Sequence, residues 1–292
     1  MCRNVERQHR DLCKVLILHG LSPGIIALAK TLIGALILAI VMPFCKKRPL
    51  YAKWYAVAAC AFFGIFIMFI FETKAYGFDT AANVVVALMA SACVTTIVLG
   101  KLFLGEHIRA ATVIGALLAI LGLVVIVGTK FSFGFSPIGT ILASCAGAGY
   151  GIFSIIMKKN GLEGGLLLTR QMLMYGSMFL LIPVGMQLPA SFEINYAVIG
   201  CLIGLAVFPT IFGFYCTTKA IQYLAPSRVQ IIELSEPIFA ALIALIFLHE
   251  QPGLSTFVGG ILILLGISIA NDLFRLPADR ESVVSKNNPD MQ

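Results

Sequence analysis

Leu234–Ile269 reads LSEPIFAALIALIFLHEQPGLSTFVGGILILLGISI, two apolar runs joined at a polar turn, with Glu236, His249 and Glu250 the only ionisable side chains in 36 residues. A helix that is apolar on every side is a helix in lipid, and a crossing needs about 20 such residues, with about 17 as the lower limit. Working outward on that criterion, hydropathy predicts nine spans. They run near Pro23–Phe44, Trp54–Phe71, Ala82–Phe103, Ala111–Val127, Pro137–Met157, Leu166–Met186, Ala197–Thr217, Val229–Leu248 and Leu254–Leu273. Composition agrees: 59% of the 292 residues are hydrophobic and 12% charged, against about 25% charged in a soluble domain. The first fourteen residues are charged, with no apolar stretch of the kind a signal peptide needs.

The formal net charge is +7, yet the basic residues stand in short runs between spans, which points to membrane topology and away from nucleic acid. Thirteen Lys and Arg, from Lys46 to Lys286, follow the odd-numbered spans, whereas the alternate loops hold only Lys74 and Lys130. Cytoplasmic loops retain Lys and Arg, so the C-terminus is expected inside a cell membrane crossed many times. Nine spans then place the N-terminus outside, although Arg3, Arg7, Arg10 and Lys14 favour the inside.

An internal repeat accounts for that conflict. A shift of 144 residues lays Ser91 on Ser235, Leu102–Glu106 on Ile246–Glu250, Gly115 on Gly259 and Gly122 on Gly266. A shift of 140 lays Gly24 on Gly164, Lys30 on Arg170 and Pro43 on Pro183. The fifth span has no counterpart, so the expected design is 4+5 helices drawn from a 5+5 plan, with the first helix missing. Five crossings are an odd number, so tandem units of that kind lie in opposite orientations. The organisation expected is a charged segment at 1–19, a first repeat at 20–129, a second at 137–272 and a cytoplasmic tail at 273–292.

With both copies in view, Leu234–Ile269 closely resembles the second-repeat signature of EamA-type members of the drug/metabolite transporter superfamily, through its Glu-Pro pair, L-x-E ending and spaced glycines. Ser91–Gly128 resembles the first-repeat signature, with Ala92 and Cys93 in the places of Glu236 and Pro237. The resemblance runs from about Gly20 to Asn271. It implies an all-α integral membrane protein of two inverted repeats, a central cavity, alternating access and transport of small metabolites, commonly outward.

A charge inside a membrane costs about 2.5 to 3.5 kcal/mol on insertion scales, so each one asks for a reason. Lys30 and Arg170 stand at matching repeat positions, about 10 and 6 Å into their helices at 1.5 Å per residue. Glu233 and Glu236 lie in the eighth span. Arg170 and Glu233 start at similar depth, which suggests an ion pair or two cavity-facing groups, while snorkelling to the interface is the plainer reading. Glu72 is the nearest acidic residue to Lys30 by depth. Pro237 removes a hydrogen bond and crowds the carbonyl of Glu233, predicting a kink; Glu236 beside it is a candidate proton carrier or an architectural group. Tyr150 and Tyr215 are candidates for stacking on a solute, while Phe62, Phe63, Phe66 and Phe69 read as core.

Glu106 and Glu250 end their helices and are expected to cap the next ones, since a carboxylate suits a helix N-terminus. Ala143, Gly147 and Gly151, like Gly115, Gly122, Gly259 and Gly266, mark faces for close helix approach. Eight cysteines without a C-x-x-C pair, and histidines without a second ligand at metal spacing, predict neither disulfide framework, metal nor other cofactor. No catalytic set or phosphate loop is visible, so an enzyme is not expected, and coupling would come from a gradient.

The leading expectation is a secondary transporter or permease for amino acids, amines or related solutes, working as an exporter. Its expected partners are the lipid bilayer, a small solute and a second copy of itself in a homodimer, with no nucleic acid. The alternative is a truncated or non-transporting membrane protein with a scaffold role.

Overall fold

The computed structural model describes residues 16, 21–42, 53–128, 136–185, 196–248 and 253–271. These form α1 (Pro23–Val41), α2 (Trp54–Ala75), α3 (Ala81–Leu104), α4 (Ala110–Gly128), α5 (Pro137–Lys159), α6 (Leu166–Gly185) and α7, which runs from Tyr196–Leu205 through Ala206–Gly213 to Phe214–Tyr223. They are followed by α8 (Pro226–Glu233), α9 (Glu236–Leu248) and α10 (Leu254–Ala270). Among the described residues there is no strand. Six helices are long and apolar enough to cross a membrane, and residues 110–126 and 254–270 add two shorter apolar helices.

Local chemistry sets the helix starts. Ser22 caps α1 by accepting from Ile25 N–H at 3.4 Å, with Pro23 in the first turn. Thr80 and Ser136 do the same for α3 and α5, each filling one of the N–H groups that a helix start leaves open. Gly105, at φ 65°, ends α3 in the left-handed conformation that glycine adopts without penalty.

Three spans depart from expectation. The eighth is two helices: α8 stops at Glu233, and α9 starts at Glu236 after a turn at Leu234 and Ser235. Pro237 lacks an N–H and crowds the Glu233 carbonyl, and here the result is a full break instead of a kink. Ser235 N–H and Oγ both donate to Ile232 O, at 3.0 and 2.6 Å. The second span continues to Ala75, past Glu72, because Thr73 returns its hydroxyl to Phe69 O at 2.6 Å within the helix. The seventh continues to Tyr223. Both long helices contain a π-helical stretch, Phe62–Ile67 in α2 and Ala206–Gly213 in α7. In α7 the cause is Pro209; Thr210 Oγ1 supplies a donor to Leu205 O at 2.8 Å where backbone bonding is widened.

Two compact units result. The first holds α1–α3, α5–α7 and α8 as far as Gln230; the second holds α4, α9 and α10. In the first, α3 lies against α5 and α1 against α6. Gly147 and Gly151 are where the α3 backbone comes close: a Cβ on Gly147 would stand 2.1 Å from Leu88 O, and one on Gly151 2.8 Å from Thr95 Cβ. Ser91 Oγ adds a bond to Ser144 O at 2.7 Å.

In the second unit α4 packs on α10. A Cβ on Gly115 would meet Gly266 O at 2.4 Å, and one on Gly122 would meet Gly259 O at 2.6 Å, so the two helices run antiparallel. Each glycine thus faces the repeat mate of the other. This reciprocal contact is how a two-fold relation looks within one chain, and it makes the two repeats inverted.

Gly147→Val should lower the melting temperature sharply, because the added carbons meet backbone and overpacking costs about 1 to 3 kcal/mol or more. Gly200→Val, where nothing stands within 4 Å of an added Cβ, should melt like the wild type when both are followed in detergent.

Candidate functional site

α1 and α2 bring a buried and a half-buried charge together. Lys30, 4% exposed, lies two turns into α1, and its Nζ is 3.5 Å from Glu72 Oε2 on α2. Tyr76, one turn beyond Glu72, donates to Glu72 Oε1 at 3.3 Å. The ammonium also stands 3.6 Å above the centre of the Phe69 ring, a cation–π contact that gains strength where water is excluded. The contact with Glu72 that depth alone suggested is therefore present.

Phe69 links this pair to an aromatic wall. Its ring meets Phe214 of α7 edge to face at 5.8 Å, and Phe214 in turn meets Tyr150 at 6.3 Å and Phe153 at 5.8 Å. Tyr150 stacks on Phe153 and shares a hydrogen bond with Thr217 at 3.0 Å. Phe62, Phe63 and Phe66 pack with Phe179; Phe69, grouped with them by sequence, is buried in the same core and also carries the lysine over its ring. Phe214 and Thr217 had no signal beyond spacing, lying one and two turns from Pro209 and Thr210. Tyr76 could have been found as the i+4 neighbour of Glu72.

The other expected residues are placed differently. Tyr215 is half-buried and its carbonyl accepts from Thr218 Oγ1 at 3.1 Å. Arg170 lies in the first turns of α6 with its Nε buried and without a hydrogen bond. It belongs to the first unit, whereas Glu233 and Glu236 belong to the second. Glu236 is exposed and opens α9, where its charge suits the positive end of the helix; Pro237 follows it. Gly115 and Gly259 are packing positions between α4 and α10. Glu250 lies outside the described residues. Among the described residues no cluster of three or more His, Cys, Asp or Glu is gathered that could hold a metal.

Glu106 follows the left-handed Gly105, and its backbone N–H returns to Gly100 O at 3.1 Å. Its carboxylate reaches α8, where Ser227 donates to Oε2 at 2.5 Å, while Oε1 is buried without a hydrogen bond. Burial pushes the Glu106 carboxyl above its ordinary value, against the Ser227 bond and the charges of Arg228 and Lys158, which favour ionisation. Lys158 itself donates to Ile221 O and Gln222 O at 2.9 and 3.2 Å, closing the end of α7.

The description of the EamA-like transporter family matches residues 12–128 and 137–271, two copies that together cover most of the chain. The chain belongs to the EamA-like transporter family. It is a multi-pass membrane protein with transporter relatives. An uncharacterized transporter of Archaeoglobus fulgidus is 29% identical over 259 residues, covering 85% of this chain and 88% of its own. The uncharacterized transporter YvbV of Bacillus subtilis is 28% identical over 253 residues, covering 85% and 82%. A crystal structure with a TM-score of 0.73 and 17% identity covers 87% of this EamA-like chain and 90% of its own, a likeness of fold.

The raised carboxyl of Glu106 has a definite sign in stability. A group whose pKa is higher folded than unfolded binds its proton more tightly in the folded state, so its contribution is full at low pH and is lost as pH rises through the folded value. Glu106→Gln keeps an acceptor for Ser227 and should flatten the loss of thermal stability on the alkaline side of that titration, read from melts across pH.

Proposed function

We propose that this protein is a secondary transporter of small polar or amphipathic metabolites, amino acids and amines foremost. It moves them outward across the cell membrane by alternating access, with its C-terminus in the cytoplasm. The observation that supports this reading best is the ion pair of Lys30 and Glu72 on its aromatic bed. Desolvating two charges costs more than a well-packed apolar pair of similar volume would, so such a pair is poor material for stability alone. Glu72, Tyr76 and the face of Phe69 together form a seat for an ammonium. Lys30 fills that seat, and a solute amine would compete for it. The buried Phe214 and Thr217 and the half-buried Tyr150 beside it combine apolar rings with one hydroxyl pair, the mixture that small-molecule sites use.

The bilayer supplies the rest of the logic. Charges at membrane depth face protein or a water-filled path, and inverted repeats give one chain two equivalent ways to open that path.

The decisive variant replaces both charges at once. Lys30→Met with Glu72→Met should leave the melting temperature at or above that of the wild type, yet lower solute efflux from proteoliposomes at least about tenfold, the scale of one charge-assisted contact of about 1.5 kcal/mol. Vesicles containing wild-type protein and preloaded with mixed amino acids and amines that release none of them faster than empty vesicles would remove the transport reading.

A further inference from the structure

We infer that Arg170 is an anion-recognition site, and that the solute carries a carboxylate or phosphate which the guanidinium receives; this rests on the transport reading above. Lys30 and Arg170 occupy the same place in the two repeats, but the repeats treat them differently. Lys30 is neutralised by Glu72 at 3.5 Å. At the position matching Glu72 the second repeat has Phe212 by the 140-residue shift and Cys216 by the 144-residue shift, neither of them an anion. Among the described residues of its own unit, Arg170 accordingly has no counter-ion, and its Nε is buried without a hydrogen bond. Thr169, beside it on α6 and fully buried, also has a hydroxyl without a partner.

Arg170 is half-buried, so its guanidinium stays reachable while its Nε is enclosed, and the matching charge of the first repeat is paired within the protein. Two further features favour an anion at this point. Arg170 stands in the first turns of α6, where the N-terminal end of the helix dipole adds positive potential. The start of α6 is also pinned to α7: Gly165 N–H donates to Thr218 Oγ1 at 3.3 Å. Arg170 is then five residues, about 7.5 Å, further along α6, in the stretch of the unit where α7 carries Phe214 and Thr217. A planar guanidinium presents donors in a fork that fits both oxygens of a carboxylate or phosphate. The Lys and Arg distribution assigns this end of α6 to the cytoplasm, so an anion leaving the cell meets Arg170 early.

The test uses full-length protein in phosphatidylcholine vesicles, with matched probes. Alanine, glutamate, 3-phenylpropionate and inorganic phosphate carry an anion; alaninamide and phenylethylamine do not. Binding is read from thermal melts and transport from counterflow. At least one anionic probe should raise the melting temperature of the wild type while its non-anionic match does not. Arg170→Gln should raise the half-saturating concentration of that probe about tenfold or more, with Arg170→Lys between the two. Solute-free Arg170→Gln protein should melt at or above the wild type, since an unpaired charge has been removed.

A lower melting temperature in solute-free Arg170→Gln protein would mean an ion pair and overturn the proposal. So would an anion effect that survives Arg170→Gln, or no anion effect in the wild type. A melting shift in the wild type that follows added phosphatidylglycerol, with no response to any soluble anion, would assign Arg170 to a lipid headgroup and overturn it equally. Counterflow of the non-anionic probes, unchanged by Arg170→Gln, would remove the anion site and leave transport standing. Absence of counterflow for every probe would remove transport itself.

Discussion

Close approach of helix backbones at glycine is the contact on which this chain depends. Lipid is as apolar as leucine, so burying leucine between helices yields little. What remains is dispersion and the short distances that let it act. Gly147 and Gly151 admit α3, while Gly115, Gly122, Gly259 and Gly266 admit the α4 and α10 backbones to each other. The bulky apolar residues, by contrast, are found at large exposure on many helices, as Leu36, Leu117 and Phe257 show. They meet the solvent this protein lives in.

Most of this was legible because lipid leaves a strong trace in sequence. Apolar length marked the helices, and two constant shifts marked the repeats. The reciprocal facing of Gly115 with Gly266 and Gly122 with Gly259 is the spatial form of the same 144-residue offset. What stayed hidden was what depends on a single bond. One proline at 237 turned a span into two helices, and Pro209 widened another. Hydropathy averages over such events. Counting apolar residues also ended α2 before Glu72, because Thr73 hides its hydroxyl on its own helix and so extends a segment that composition closes.

The candidate site was legible in part for a related reason. Depth follows from residue number at a fixed rise, so Lys30 and Glu72 could be matched, and the structure joins them. Azimuth does not follow. Phe69 lies in the same core that Phe63 and Phe66 pack against, yet its ring is the one that takes the lysine, which pattern cannot rank when every face is apolar. Partners from other helices, such as Phe214 and Thr217, are fixed by packing alone. Glu106 was read against the next helix in sequence, whereas its carboxylate bonds across 121 residues to Ser227.

The two π-helical stretches begin 144 residues apart, at Phe62 and Ala206, so each repeat carries a widened turn at the same place in the same helix. Such turns act as joints: the local hydrogen-bond ladder is already loosened, and a helix bends there at less cost than elsewhere. Because the repeats are inverted, the joints are counted from opposite membrane faces. Each repeat thereby holds one long helix whose middle is softer than its ends, and the two soft points share one register.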